Sequence, residues 1–107
     1  MRRVMVRYRV KADKAEENVA YVMKVFEELH AQQPDGLRYA TFRLDDGVSF
    51  IHFASIETDD GTNPLAATDA FKEFQKEIKD RCEEGPTPVD LHTVGAYRAF
   101  GHKPGSG

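Results

Sequence analysis

The chain has 107 residues, 40% of them hydrophobic and 31% charged, with a formal net charge of -3. That length suits one two-layer domain, and the slight acidity gives no chain-wide attraction to nucleic acid or to an anionic membrane. No stretch approaches the ~20 apolar residues of a membrane span, and Met1 to Val10 alternates apolar and basic residues instead of forming the continuous apolar region of a secretory signal. A cytoplasmic protein without nucleic-acid or membrane partners is expected.

Residues 3–11 alternate with a period of two: Val4, Val6, Tyr8 and Val10 share one face, Met5, Arg7 and Arg9 the other. This is a strand pattern. Asp13 is placed to open a helix, with Glu16 three residues on as in a capping box. Val19, Val22, Met23, Phe26 and Leu29 then recur at helical spacing until Pro34, Asp35 and Gly36 end the run. Residues 37–44 and 48–56 are rich in aromatic and β-branched side chains. They flank Asp45-Asp46-Gly47, a hairpin signal because such turns need positive φ. With Asp46 and Gly47 as the turn residues, Phe42 faces Ile51 and Thr41 faces His52. After a polar loop at 57–63, Asn63-Pro64 suits a capped helical turn. A second helix is predicted from Thr68 to Cys82, with Phe71, Phe74, Ile78 and Cys82 on its apolar stripe. Gly85, Pro86 and Pro88 read as a break before a last strand at 89–100. Residues 1–100 are expected to form a single domain, and the Gly/Pro/Ser-rich 101–107 a disordered tail.

Two strand-helix-strand units joined by a hairpin give a β-α-β-β-α-β order, the ferredoxin-like α+β arrangement with a four-stranded antiparallel sheet and both helices on one face. Ala40, Phe42, Leu44, Ile51 and Phe53, together with Val4, Val6, Tyr8 and Val10, are expected under the helices. The opposite face would then carry Leu37, Tyr39, Thr41, Arg43, Phe50, His52, Ala54 and Ile56. That mixed set is too apolar for water and too polar for an ordinary interior, which suits a dimer interface or a partly wet cavity.

The segments VMVRYRVKADKAEENV, LRYATFRLDDGVSFIHFASIETDD and DAFKEFQKEI resemble the antibiotic biosynthesis monooxygenase-like family. The resemblance runs from about Val4 to Phe100 and implies the dimeric α+β barrel: two subunits meeting through their sheets, with a pocket beside the sheet. In catalytic members the pocket accepts a small aromatic or polyketide-like molecule, which some oxidise with molecular oxygen and no cofactor. Others degrade haem, isomerise lactones, or have no known activity. With no tryptophan in the chain, the Asn, Trp and His arrangement of the haem-degrading members is absent. The second helix, DAFKEFQKEIKDR, lacks the histidines many monooxygenases carry there.

Of the four histidines, His102 falls in the tail, His30 ends the first helix where the dipole favours a cation, and His92 sits in the last predicted strand. His52 stands mid-strand on the mixed face with Tyr39, Thr41 and Arg43. His52, Tyr39 and Arg43 are therefore the candidate catalytic residues: a base near neutrality beside hydrogen-bonding and cationic groups suits removal of an acidic proton from an aromatic substrate. The plain alternative for His52 is a hydrogen-bonded interface histidine. Arg7 and Arg9 would add positive charge on that face or form intersubunit ion pairs with Glu57 or Asp59. No flavin, nicotinamide, haem or metal pattern is visible, so no cofactor is expected. The single Cys82 reads as a packed small hydrophobe. Three functions compete: a cofactor-independent monooxygenase, a non-catalytic or stress-associated ligand-binding dimer, which the histidine-free second helix favours, and an isomerase of the same fold.

Overall fold

A computed structural model describes residues 1–99. The expected tail, with His102 and the end of the last predicted strand at Phe100, lies outside the described residues. In chain order the elements are β1 (Arg2–Val10), a single 3-10 turn (Ala12–Lys14), α1 (Ala15–Gln32), β2 (Leu37–Arg43), β3 (Ser49–Ile56), α2 (Asp69–Lys76), α3 (Ile78–Arg81) and β4 (Cys82–Leu91). The strands form one antiparallel sheet in the order β2-β3-β1-β4. This is the ferredoxin-like α+β fold. One core joins Tyr8, Val10 and Phe50 of the sheet to Val22 and Val25 of α1, Phe74 of α2 and Ile78 of α3.

The hairpin has the expected register, with Phe42 opposite Ile51 and Thr41 opposite His52. Asp46 holds the turn: its Oδ1 accepts from the Val48 and Ser49 amides at 2.9 and 2.8 Å, and its Oδ2 from the Ser49 hydroxyl at 2.6 Å. Gly47 supplies the required positive φ of 77°.

The assignment of the two sheet faces is corrected. β3 pairs with β1 so that Val6 lies opposite His52 and Tyr8 opposite Phe50. Directly opposed residues share a face, so Phe50, His52, Ala54 and Ile56 join the inner set of β1 beneath the helices. Phe50 is 2% exposed, whereas Phe42, expected in the core, is 57% exposed. Ala40, Phe42, Ile51 and Phe53 belong instead to the outer face, with Met5 and Val89.

Several boundaries also move. Asp13 lies in the 3-10 turn, and α1 starts after Lys14 without a side-chain cap. Its buried positions are Ala15, Asn18, Val22 and Val25, while Met23 is exposed. The second helix stops at Lys76, bends at Glu77, and resumes as the four-residue α3. β4 begins at Cys82 and runs through Gly85, Pro86 and Pro88, so His92 follows the strand instead of lying within it. β4 is an edge strand, where prolines are tolerated, and its pairing with β1 is irregular around Pro86.

Candidate functional site

Reversing the faces moves His52 into the interior between sheet and helices, where it is 6% exposed. Its ring is held at both nitrogens. Nε2 lies 2.7 Å from the Tyr8 hydroxyl, which reaches it from β1. Nδ1 is hydrogen-bonded to the Tyr39 hydroxyl on β2, with Thr41 Oγ1 at 3.3 Å as a second neighbour. Phe74 of α2 closes over the ring at a centroid distance of 5.2 Å. Burial pushes His52 from the ordinary 6.5 down to about 4, so the imidazole is neutral at physiological pH. Burial also pushes the Tyr39 phenol up to about 12 and raises Tyr8 further, against a lowering hydrogen bond from Asn18.

The polar cluster extends away from the sheet. Asn18 Nδ2 donates to the Tyr8 hydroxyl at 2.9 Å, and Arg81 Nε donates to Asn18 Oδ1 at 3.1 Å. Arg81 is 2% exposed, donates a further bond to the Phe74 carbonyl at 3.1 Å, and sits over the Tyr21 and Phe74 rings. A continuous line of hydrogen bonds thus runs Arg81, Asn18, Tyr8, His52, Tyr39.

The Tyr8, His52 and Tyr39 part of this line borders a cavity of about 440 Å³, within the range of small-molecule sites. Val4, Val6, Ala54, Leu65 and Phe71 give it mainly apolar walls; Tyr8, His52 and Tyr39 line it from the sheet, and Arg2, Asn63 and Gln75 are its other polar lining residues. Phe71, Phe74 and Gln75 of α2 and Ile78 of α3 border it, and Pro86 and Pro88 of β4 form another side.

Of the three sequence candidates, the fold brings His52 and Tyr39 together and leaves Arg43 apart. Arg43 donates to Gly47 O of its own hairpin at 2.9 Å and to Glu16 Oε2 of α1 at 2.8 Å, and it does not line the cavity. Arg9 pairs within the chain with Glu84 at 3.1 Å, and Glu57 pairs with Arg38 at 3.2 Å. His30 is exposed at the end of α1. Tyr8, Asn18 and Arg81 are the members of the site that sequence reasoning missed. Among the described residues no group of three His, Cys, Asp or Glu side chains is placed to hold a metal ion, and no helix is long and apolar enough to cross a membrane.

No protein-family model and no curated protein sequence matches this chain. Solved structures do match it in fold. A crystal structure of an antibiotic biosynthesis monooxygenase is 18% identical with a TM-score of 0.72, over 89% of this chain and 100% of that one. Proteins provisionally named antibiotic biosynthesis monooxygenases are similar too. The one from Nitrosomonas europaea has 18% identity and a TM-score of 0.74, over 89% of this chain and 100% of that one. The one from Caulobacter crescentus CB15 has 21% identity and a TM-score of 0.68, over 88% and 90%. The chain therefore has the fold of the antibiotic biosynthesis monooxygenase-like proteins, as the sequence resemblance implies.

Proposed function

We propose that residues 1–100 act as a single-domain, cofactor-independent monooxygenase-like enzyme on a small aromatic or polyketide-like substrate. The carrying observation is the cavity itself: about 440 Å³, mostly apolar, lined from the sheet by Tyr39, His52 and Tyr8 and elsewhere by the polar residues Arg2, Asn63 and Gln75. A flat apolar ring fits such walls, and a ring oxygen can meet the Tyr39 hydroxyl. A substrate with an acidic ring CH₂ beside a carbonyl reacts with oxygen through its enolate. Oxygen takes the place of two hydrogens, which leave with the second oxygen atom as water. The protein's part is to hold the substrate in a dry site and stabilise the enolate oxygen, a contribution of about 10²–10³-fold per well-placed donor. The C–H proton passes to solvent at the cavity mouth and is recovered in the product water; His52, held near 4 by burial, is too weak a base to take it and instead supports Tyr39. Arg43 has no part in this assignment. The test is oxygen uptake with an anthrone- or quinol-type substrate and no added cofactor. Protein-dependent uptake is expected. Binding without uptake would favour the second reading, a non-catalytic ligand-binding protein, which the buried and fully partnered state of His52 also suits.

The same reading takes the chain as a symmetric homodimer joined through the outer sheet face. Phe42 is 57% and Val89 45% exposed there, beside half-buried Met5, Ile51 and Phe53. A two-fold interface of this kind pairs one patch with itself.

A further inference from the structure

We propose that Arg81 and Asn18, which lie outside the cavity, are positioning residues that fix the direction of every hydrogen bond in the line and so leave Tyr39 as a donor toward the cavity. This builds on the reading of the cavity as the functional site. Counting protons from the end with no freedom sets the direction of each bond. Arg81 is a donor only, in any protonation state a protein reaches. The Asn18 atom facing its Nε at 3.1 Å must therefore be the amide oxygen. The amide nitrogen then faces Tyr8, and the Tyr8 oxygen accepts from it at 2.9 Å.

Tyr8 is 2% exposed, and its own proton still needs an acceptor. The lone pair of His52 Nε2, 2.7 Å away, provides it. With Nε2 accepting, a neutral imidazole carries its proton on Nδ1. That proton is given to the Tyr39 oxygen, with Thr41 Oγ1 as a second acceptor at 3.3 Å. The Thr41 side chain is also hydrogen-bonded to Tyr39, in the sense that lowers the phenol and so donates to its oxygen; the Tyr39 proton is then the one left over, and Tyr39 lines the cavity. The opposite order gives Tyr8 two incoming donors and leaves its own proton with no acceptor among the described residues.

The consequence is chemical. A line that ends in a donor can stabilise negative charge on a ligand oxygen, but cannot take a proton from the ligand without reversing. Among the described residues no carboxylate pairs with Arg81, so nothing at the buried end competes to turn Asn18 around.

The experiment is long-range ¹H–¹⁵N correlation at neutral pH on the full chain labelled at histidine nitrogens, with the His52 signals identified by their loss in His52→Gln. The expected result is a protonated Nδ1 and an unprotonated Nε2. Asn18→Asp is the directional control. Its carboxylate pairs with Arg81 but can only accept from Tyr8, so Tyr8 turns its proton away from His52 and the two ring nitrogens exchange roles. A wild-type His52 protonated at Nε2 would overturn the inference, as would an Asn18→Asp protein that keeps its proton on Nδ1. If Asn18→Asp does not fold, the wild-type spectrum still decides. The spectrum is read without substrate, so an absence of oxygen uptake bears on the proposed function and leaves this result standing.

Discussion

His52 ties stability to pH in a direction that can be worked out. Burial lowers it from 6.5 to about 4. Between those values the unfolded chain binds a proton that the native chain does not, so the native state loses ground as pH falls. The contribution is negligible above about pH 7 and amounts to ~3 kcal/mol once pH has fallen to about 4. His52→Gln removes the titrating group. Urea unfolding across this range should show wild type losing ~3 kcal/mol more than the variant, and parallel curves would contradict the burial argument. His52→Phe also removes the acceptor for the Tyr8 proton, and a cost of about 1–3 kcal/mol is expected at neutral pH.

At this scale the sequence reveals part of the site. The Asp-Gly turn fixes the hairpin register, and with it the neighbourhood of His52, Tyr39 and Thr41. It says nothing of Tyr8, which reaches His52 only through the long-range pairing of β1 with β3. Asn18 and Arg81 left a weak signal: each is a polar residue on an otherwise apolar helical stripe. Asn18 falls between Ala15 and Val22, and Arg81 lies seven residues past Phe74. A polar residue there needs a buried partner, but the pattern does not say which one.

Among the elements, the corner between α1 and β2 shows how a short connection is locked. α1 ends at Gln33 in the left-handed region, with its amide bonded to Leu29 O at 2.7 Å, and Gly36 follows at φ 77°. A Cβ on Gly36 would lie 2.7 Å from Thr58 Cγ2 and 3.1 Å from the Thr58 amide nitrogen. Gly47, at the same φ, would meet only the far end of the Arg43 side chain at 4.0 Å. Both alanine variants carry the left-handed penalty of about 1–2 kcal/mol, and Gly36→Ala should cost more because Thr58 must also move. Equal unfolding free energies for the two would show that the corner yields freely.

Element order was legible because the strand and helix periods are clean. The sheet faces were not. Tyr39, Phe50, Ala54 and Ile56 make as good an apolar row as Ala40, Phe42, Ile51 and Phe53, and only the pairing with β1 chooses between them. β4 was misplaced for a different reason. Gly85, Pro86 and Pro88 look like a break in a central strand but are tolerated at an edge.

For the whole molecule, the outer sheet face calls for a cover. The 12.1 kDa chain should run as a species of about 24 kDa by light scattering at micromolar concentration. Phe42→Arg should shift it to the monomer mass while leaving the circular dichroism spectrum unchanged, since Phe42 takes no part in the core. A wild-type protein at monomer mass under these conditions would remove the dimer from the account.

In the proposed reading, this protein acts in the cavity beside Tyr39 and His52. The measurement that bears on it most directly is oxygen uptake with an anthrone-type substrate, without added cofactor, by wild type and by Tyr39→Phe. Wild type should consume oxygen above the spontaneous rate. Tyr39→Phe, which keeps the ring and removes the donor, should lose about 10²–10³-fold. Uptake at the spontaneous rate by wild type, or equal uptake by both proteins, would contradict the claim.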